Sequence, residues 1–340
     1  MPAPLVILWH ENDAPYREAI SDAGLAGEVQ VIAVKGGAEP PADHWARCEA
    51  LLAFRAKPGL LPKAERLRWI QSLTAGVEGW LALPDLPPAV TLTCARGTHR
   101  VQMPENILGA LFHITKPYAA IVEDQKHAKW TRRVSDTLAG KTLGILGLGA
   151  IGVEVARKAA ALEMRVIGTK VSPGPVPHVE RVYAPAETGE VLAQSDFVLL
   201  LLPVTPETRG FIDSVRLAKM KPSAYLLNFG RGELIVDADL VDAVQSKVIA
   251  GAILDVFAVE PLPVEHSFWR TPGITVLPHI GGLHPQRDSV VARFAVVREW
   301  ALSVPEIVHV TVNTPYPGTE TWTTDARGLA TRNYKLFDVQ

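Results

Sequence analysis

Short apolar runs alternate with longer amphipathic stretches along the chain, the pattern of parallel strands covered on both faces by helices. Over the first hundred residues the runs are "LVILWH", "VQVIAV", "ALLAF", "LRWIQSL" and "AVTLTCA". Amphipathic segments such as "PYREAISDAG" and "LLPKAERL" lie between them. A second and more regular series follows "DTLAGK": "TLGILGLG", "RVIGTK", "DFVLLLLP", "AYLLNF", "GAILDVF" and "GITVLPH". Six such strands are what a doubly wound open sheet needs. Helices are expected at Ile151–Leu162, Ala186–Gln194, Ser214–Lys219 and Ala238–Ser246, the last with Asp237 as its N-cap.

The two series meet in the helix-like stretch "PENILGALFHITKPYAAIVEDQKHAKW". A later helix, "RDSVVARFAVVREWAL", precedes the Pro/Thr-rich tail "NTPYPGTETWTTDARG" and is expected to return to the first domain. The fold class is therefore α/β, with two doubly wound parallel-sheet domains. A Rossmann-type cofactor domain at 105–285 is inserted in a flavodoxin-like substrate domain made of 1–104 and 286–340, with a cleft between them.

Composition narrows the function classes. The chain has 340 residues, enough for about two domains. A formal net charge of −2 leaves no basic field for nucleic acid or anionic lipid. The longest apolar run, "FVLLLLPV", is far short of the roughly 18–20 residues of a membrane span. The N-terminal run lacks the basic lead of a signal peptide, so a cytoplasmic protein is expected. Cys48 and Cys94 lie far apart without metal-ligand spacing and read as buried, reduced thiols. His279 and His284 have no evident third ligand, so no metal site is expected.

Gly147, Gly149 and Gly152 form G-x-G-x-x-G where an apolar strand gives way to a helix. The first allows a tight turn, the second lets backbone approach a pyrophosphate, and the third lets helix and strand pack closely. With Leu148, Ala150 and Ile151 they would present free amides to the phosphates.

Ligands of such sheets bind beyond the carboxyl ends of the strands. Arg231, Glu260 and His279 follow three successive strands there. The chemistry that fits is hydride transfer at a 2-keto or 2-hydroxy acid. An imidazole exchanges its proton near neutral pH, so His279 would be the acid/base. Glu260 would hydrogen-bond the far ring nitrogen and favour the imidazolium. Arg231 would hold the substrate's carbonyl oxygen and its carboxylate.

These stretches, with "LLLPVTPETRGFI" and "FWRTPGITVLPHIGG" in the same order, resemble the D-2-hydroxyacid dehydrogenase family. "QMPEN" resembles the branch containing glyoxylate/hydroxypyruvate reductases. The resemblance implies the same catalytic Arg231, Glu260 and His279, and gives Asp255 to the nicotinamide carboxamide. It adds Leu202, Pro203, Thr208, Phe229, Gly230, Gly281 and His279 as cofactor neighbours. It also implies a homodimer formed largely through the cofactor domains. "QSLTAGVEGW" resembles the family's substrate loop, whose amides at Ala75 and Gly76 would hold a carboxylate. The loop "AFRAKPG" offers Phe54 and Arg55 for substrate choice. Asn106 departs from the family, which usually has histidine or tyrosine there, and the tail beyond Asn313 runs past the usual family end. His99 and His113 are weaker candidates.

At the end of the second cofactor-domain strand, "VIGTKVSPG" lacks the acid that would bond the ribose hydroxyls of NAD and repel a 2′-phosphate. The resemblance puts Lys170 at that place, flanked by Thr169 and Ser172 as hydroxyl donors. NADP(H) is therefore the preferred cofactor and NAD(H) the other possibility. The leading expectation is reduction of a small 2-keto acid. Two alternatives stay open. One is an oxidative dehydrogenase of a bulkier or phosphorylated 2-hydroxyacid, served by Arg55, Lys57 and Arg100. The other is a dinucleotide-sensing binding protein of the co-repressor kind.

Overall fold

The computed structural model describes residues 3–35, 38–293 and 295, with three short strands at 307–309, 322–325 and 330–332. The chain divides into two compact units, Met1–Thr98 with His284–Gln340, and His99–Leu283. The changeovers lie at 98/99 and 283/284, where the sequence reading puts 104/105 and 285/286. His99 and Gln102 belong to the second unit, and Gln102 Nε2 bonds the Gly282 carbonyl within it at 2.7 Å.

In the first unit β1 (Leu5–Trp9), β2 (Gln30–Val34), β3 (Cys48–Ala53), β4 (Trp69–Ser72) and β5 (Thr91–Cys94) form one sheet in the order β2-β1-β3-β4-β5. All its pairings are parallel. Alternate side chains leave the sheet on opposite faces. Val6, Leu8 and Leu52 meet Tyr16, Ala19 and Ile20 of the helix Ala14–Asp22, with Val291 and Ala292 of a helical segment at 287–293. Ile7, Leu51 and Ile70 meet Trp45, Leu61 and Trp80 on the other face. That segment is the start of the C-terminal helix read from the sequence. Its remainder apart from Ala295, and the tail beyond Asn313 apart from two strands, lie outside the described residues.

The second unit holds β6 (Thr142–Leu146), β7 (Arg165–Thr169), β8 (Arg181–Tyr183), β9 (Phe197–Leu200), β10 (Tyr225–Asn228), β11 (Gly251–Leu254) and β12 (Ile274–Val276). Their order is β12-β11-β10-β9-β6-β7-β8, parallel throughout. Leu143, Ile145 and Leu199 pack on one face with Val155, Ala156 and Ala159 of the helix Ala150–Ala161 and with Ile107 and Leu111 of the helix Gln102–Thr115. Leu146, Val198 and Leu200 pack on the other with Val191, Leu217 and Leu240. Burial on both faces is why these strands read as unbroken apolar runs. A separate antiparallel sheet joins β13 (Ile307–His309), β14 (Trp322–Asp325) and β15 (Ala330–Arg332). Among the described residues no helix is long and apolar enough to cross a membrane.

Four sequence expectations need correction. The second sheet has seven strands where six are expected. The extra one, β8, is three residues of "RVY" at the sheet edge, too short and too polar to register as an apolar run. "LLPKAERL" gives only a 3₁₀ turn at Leu61–Lys63, because its apolar residues Leu60, Leu61, Ala64 and Leu67 are buried through an irregular path. Asp237 is the first residue of the helix Asp237–Gln245, not its cap. Val236 takes the cap position, drawn extended by its amide bond to Ile212 O (2.9 Å), and Asp237 pairs with His266 at 3.3 Å instead. The long stretch at the domain junction is two helices, Gln102–Thr115 and Tyr118–Lys126, parted at Pro117.

Candidate active site

The glycine turn leaves the carboxyl end of β6, between β7 and β9, where the strand order reverses. Gly147 has φ +110°, and a Cβ there would lie 2.8 Å from Leu201 O. On Gly152 a Cβ would meet Gly147 O at 2.5 Å, so the helix can approach the strand this closely only with glycine. Gly149 caps the helix Ala150–Ala161 without a side chain, and the first helical bond is Val153 N to Gly149 O. The amides of Ala150, Ile151 and Gly152 precede that bond and stay open at the positive end of the helix dipole. Leu148 and Gly149 are different. Their amides are bonded to Thr169 O (3.0 Å) and Gly147 O (2.8 Å).

Beyond β7, Lys170 fixes its amide to Tyr183 O at 3.1 Å and extends an exposed side chain, with Ser172 also exposed. Thr169 is still part of the strand and only 4% exposed. After β9, Leu202 and Pro203 lead into a turn that Thr208 shapes: its Oγ1 donates to Pro203 O and accepts from Thr205 N, both at 2.7 Å.

Arg231 follows β10 and opens the 3₁₀ turn Gly232–Leu234. The last residue of β10, the fully buried Asn228, folds its amide over this loop. Nδ2 donates to Arg231 O at 2.8 Å, and Oδ1 accepts Gly230 N at 3.1 Å. The arginine's NH1 meets Gly230 O at 2.8 Å. Phe229 is buried, and a Cβ on Gly230 would come within 2.9 Å of Leu202 O.

Asp255 is the first residue after β11 and is 1% exposed. Oδ1 accepts Ile280 N at 2.8 Å and Oδ2 accepts Gly281 N at 2.9 Å. Burial pushes its carboxyl above the usual carboxylate range while the two amides pull the other way. Its visible role is thus to tie the end of β11 to the loop after β12. That loop carries His279, whose Nδ1 lies 2.7 Å from Glu260 Oε2. The other carboxylate oxygen, Oε1, accepts Phe257 N at 2.9 Å. Glutamate and histidine therefore stand as an oriented hydrogen-bonded pair, partly open to solvent. The backbone of Phe257 and Ala258 in turn abuts Gly232, beside Arg231.

In the first unit, Ala75 and Gly76 lie in the loop after β4, where Thr74 Oγ1 donates to Gly76 O (2.8 Å) and lies 3.0 Å from Ser72 Oγ. Their own amides make no hydrogen bond among the described residues. A cavity of about 220 Å³ opens at the carboxyl ends of β1 and β3, lined by Trp9, His10, Glu11, Phe54, Arg55, Ala56 and Lys57. This is where the order of the first sheet reverses, the expected crevice of such a sheet. The Phe54 ring lies 5.1 Å from the His10 ring and 4.9 Å from the Arg287 guanidinium.

Other candidates are placed elsewhere. Arg100 NH2 is tied to the buried Glu154 at 3.0 Å. His99 Nδ1 lies 3.1 Å from Gln102 Nε2, and His113 is an exposed helix residue. Both cysteines are free thiols, but Cys94 is only partly buried. Among the described residues no group of three or more His, Cys, Asp or Glu side chains could hold a metal. Asn228 and Thr74 escaped the sequence reading; the one available signal was an asparagine closing a strand just before "GRG".

Residues 108–281 match the model of the D-isomer specific 2-hydroxyacid dehydrogenase NAD-binding domain. The chain is 32% identical over 262 residues to glyoxylate/hydroxypyruvate reductase A of Serratia proteamaculans, covering 75% of this chain and 82% of that one. A D-isomer specific 2-hydroxyacid dehydrogenase from Xanthobacter autotrophicus, solved with NADPH and MES, superposes with a TM-score of 0.78 at 25% identity, over 93% of this chain and 98% of that one. The NADPH-dependent glyoxylate/hydroxypyruvate reductase of Sinorhizobium meliloti, solved with NADP and sulfate, gives 0.74 at 29% identity, over 88% and 94%. With the glycine turn and the Glu260–His279 pair in place, these similarities make the chain a member of the D-isomer specific 2-hydroxyacid dehydrogenase family, on its glyoxylate/hydroxypyruvate reductase side.

Proposed function

We propose that the protein reduces a small 2-keto acid of the glyoxylate or hydroxypyruvate kind to the D-2-hydroxyacid, with NADPH preferred over NADH. The observation that carries this reading is the 2.7 Å pairing of His279 with Glu260. The open amides of Ala150, Ile151 and Gly152 suit a dinucleotide pyrophosphate, and Lys170 and Ser172 suit a ribose 2′-phosphate. When bound, the nicotinamide supplies the hydride.

The chain's own residues manage the proton and the charge. His279, protonated and with Nδ1 held by Glu260, offers its Nε2 proton to the carbonyl oxygen as that oxygen becomes a hydroxyl. Glu260 stabilises the imidazolium beforehand, while Phe257 N fixes the carboxylate's orientation. Arg231 polarises the same carbonyl and binds the substrate carboxylate through its fork of N–H groups. The amides of Ala75 and Gly76, in a loop stiffened by Ser72 and Thr74, suit a carboxylate. Asp255 holds the His279 loop and serves the carboxamide of the cofactor.

The cavity beside Phe54 and Arg55 supports their assignment to substrate choice. With Lys57 it also gives footing to a second reading, a bulkier or phosphorylated 2-hydroxyacid. We assign the protein to the cytoplasm as a homodimer. Trp130 (93% exposed) and Val134 (97%), on the segment after the helix Tyr118–Lys126, support an apolar contact with a second copy. The test is a panel of glyoxylate, hydroxypyruvate and a phosphorylated keto acid, each with NADPH and NADH. Turnover of the two small acids with NADPH is expected. Turnover confined to the phosphorylated acid would transfer the assignment to the second reading, and none with any acid would end both.

A further inference from the structure

His279 has φ +52°, in the left-handed region that few residues other than glycine enter. Such a conformation persists only where its surroundings over-determine it. Here the two residues that follow are gripped at both their amides and their carbonyls, and the peptide unit between them is held from both sides. Asp255 accepts the amides of Ile280 and Gly281. Asn106 Nδ2 donates to the carbonyls of the same two residues, at 3.1 Å each. Ile280 O also accepts Leu283 N at 3.0 Å. Gln102, one turn earlier on the same helix, adds a bond to the next carbonyl, Gly282 O, at 2.7 Å.

We propose that Asn106 is a positioning residue for the proton donor. By holding the carbonyls of Ile280 and Gly281 against the pull of Asp255 on their amides, it keeps His279 in the left-handed conformation that seats Nδ1 on Glu260. The role needs two hydrogens on one small planar group, each serving one carbonyl. A hydroxyl has one, and a carboxylate has none. The histidine's part as proton donor rests on the function proposed above; the clamp on its loop does not.

Asn106→Asp is nearly isosteric and turns both donors into acceptors facing carbonyl oxygens. Its kcat with glyoxylate and NADPH is expected to fall about 10–100-fold, the scale of a misplaced reacting group. The NADPH dissociation constant, read from fluorescence titration, stays within about twofold, because this loop is not the phosphate site. Asn106→Gln, which keeps the NH₂ group, restores much of kcat. A second readout needs no turnover. In ¹⁵N-histidine-labelled protein, the Nδ1–H proton of His279, assigned by its loss in His279→Gln, should be lost in Asn106→Asp and present in Asn106→Gln. An unchanged kcat or an intact Nδ1–H signal in Asn106→Asp overturns the proposal. So does a joint fall of kcat and NADPH affinity that Gln does not rescue, which marks a merely structural role. A wild type inactive on every keto acid refutes the proposed function, while the proton signal still decides the clamp.

Discussion

Glu260 reaches His279 with one carboxylate oxygen, 2.7 Å from Nδ1, and spends the other on the Phe257 amide at 2.9 Å. The glutamate is therefore oriented by backbone before the histidine is. Glu260→Gln can keep the Phe257 bond but sets an NH₂ group against Nδ1, which forces that nitrogen to be an acceptor and removes the charge that favours imidazolium. A hydrogen bond to a charged group contributes roughly 1.5–3 kcal/mol, so the reductive kcat should drop about 10–100-fold. NADPH binding should not change. Steady-state kinetics beside a cofactor titration checks both, and a normal kcat removes Glu260 from the mechanism.

Lys170 leaves β7 with its amide anchored to Tyr183 O, so a substitution there changes the side chain without releasing the strand. Lys170→Asp replaces an attractive charge by one that repels a 2′-phosphate and can accept from ribose hydroxyls. The ratio of kcat/KM for NADPH over NADH is expected to fall by about 10–100-fold, the range of one charge-assisted contact. A ratio that does not move means that the lysine faces water only.

The two cysteines should react very differently. Cys48 is fully buried, its Sγ 3.2 Å from Ala50 O, and burial pushes its thiol up to about 12. Thiolate is the reactive form, and a raised value suppresses it at every pH below that range. Cys94 is partly exposed. Ellman's reagent at mildly alkaline pH should therefore titrate one thiol in the native protein and both in denaturant. Two fast native thiols would contradict the burial of Cys48.

The two sheets and the glycine turn were legible because both rest on local pattern. Apolar runs such as "FVLLLL" need burial on both faces, and G-x-G-x-x-G needs a strand before it and a helix after. β8 was not legible, since an edge strand of three residues carries no run of its own. The strand-end loops of the candidate site were legible as residue types but not as a network. Nothing local in "LLNFGRG" says that Asn228 will turn back onto Arg231 O, and nothing in "QMPEN" says that Asn106 will bond a loop some 170 residues later. The second of these bonds exists only once the fold has brought the helix Gln102–Thr115 beside the loop after β12. The pairing of Arg100 with Glu154 was not legible for the same reason: Glu154 sits on a helix that only the fold brings near.

Gly232 is where the loop of Arg231 touches the loop that leads to Glu260. A Cβ on it would overlap the backbone of Phe257 and Ala258, too closely for either chain to keep its place. On one side of this contact is Arg231, and on the other is the Phe257 amide that orients Glu260. Backbone cannot rotate away as a long side chain can, so Gly232→Ala must drive the arginine loop and the glutamate loop apart. Overpacking of this kind typically costs about 1–3 kcal/mol, which a thermal melt will register. It should also lower kcat/KM well beyond what the stability loss explains at a temperature where the variant stays folded. Gly109→Ala is the matched control. Gly109 lies on the exposed face of the helix Gln102–Thr115 with nothing within 4 Å of a new Cβ, so alanine there should be neutral or stabilising by about 0.5–1 kcal/mol. If Gly232→Ala melts lower yet keeps wild-type kinetics, the contact between the loops holds the fold together but does not set the distance between Arg231 and the Glu260–His279 pair.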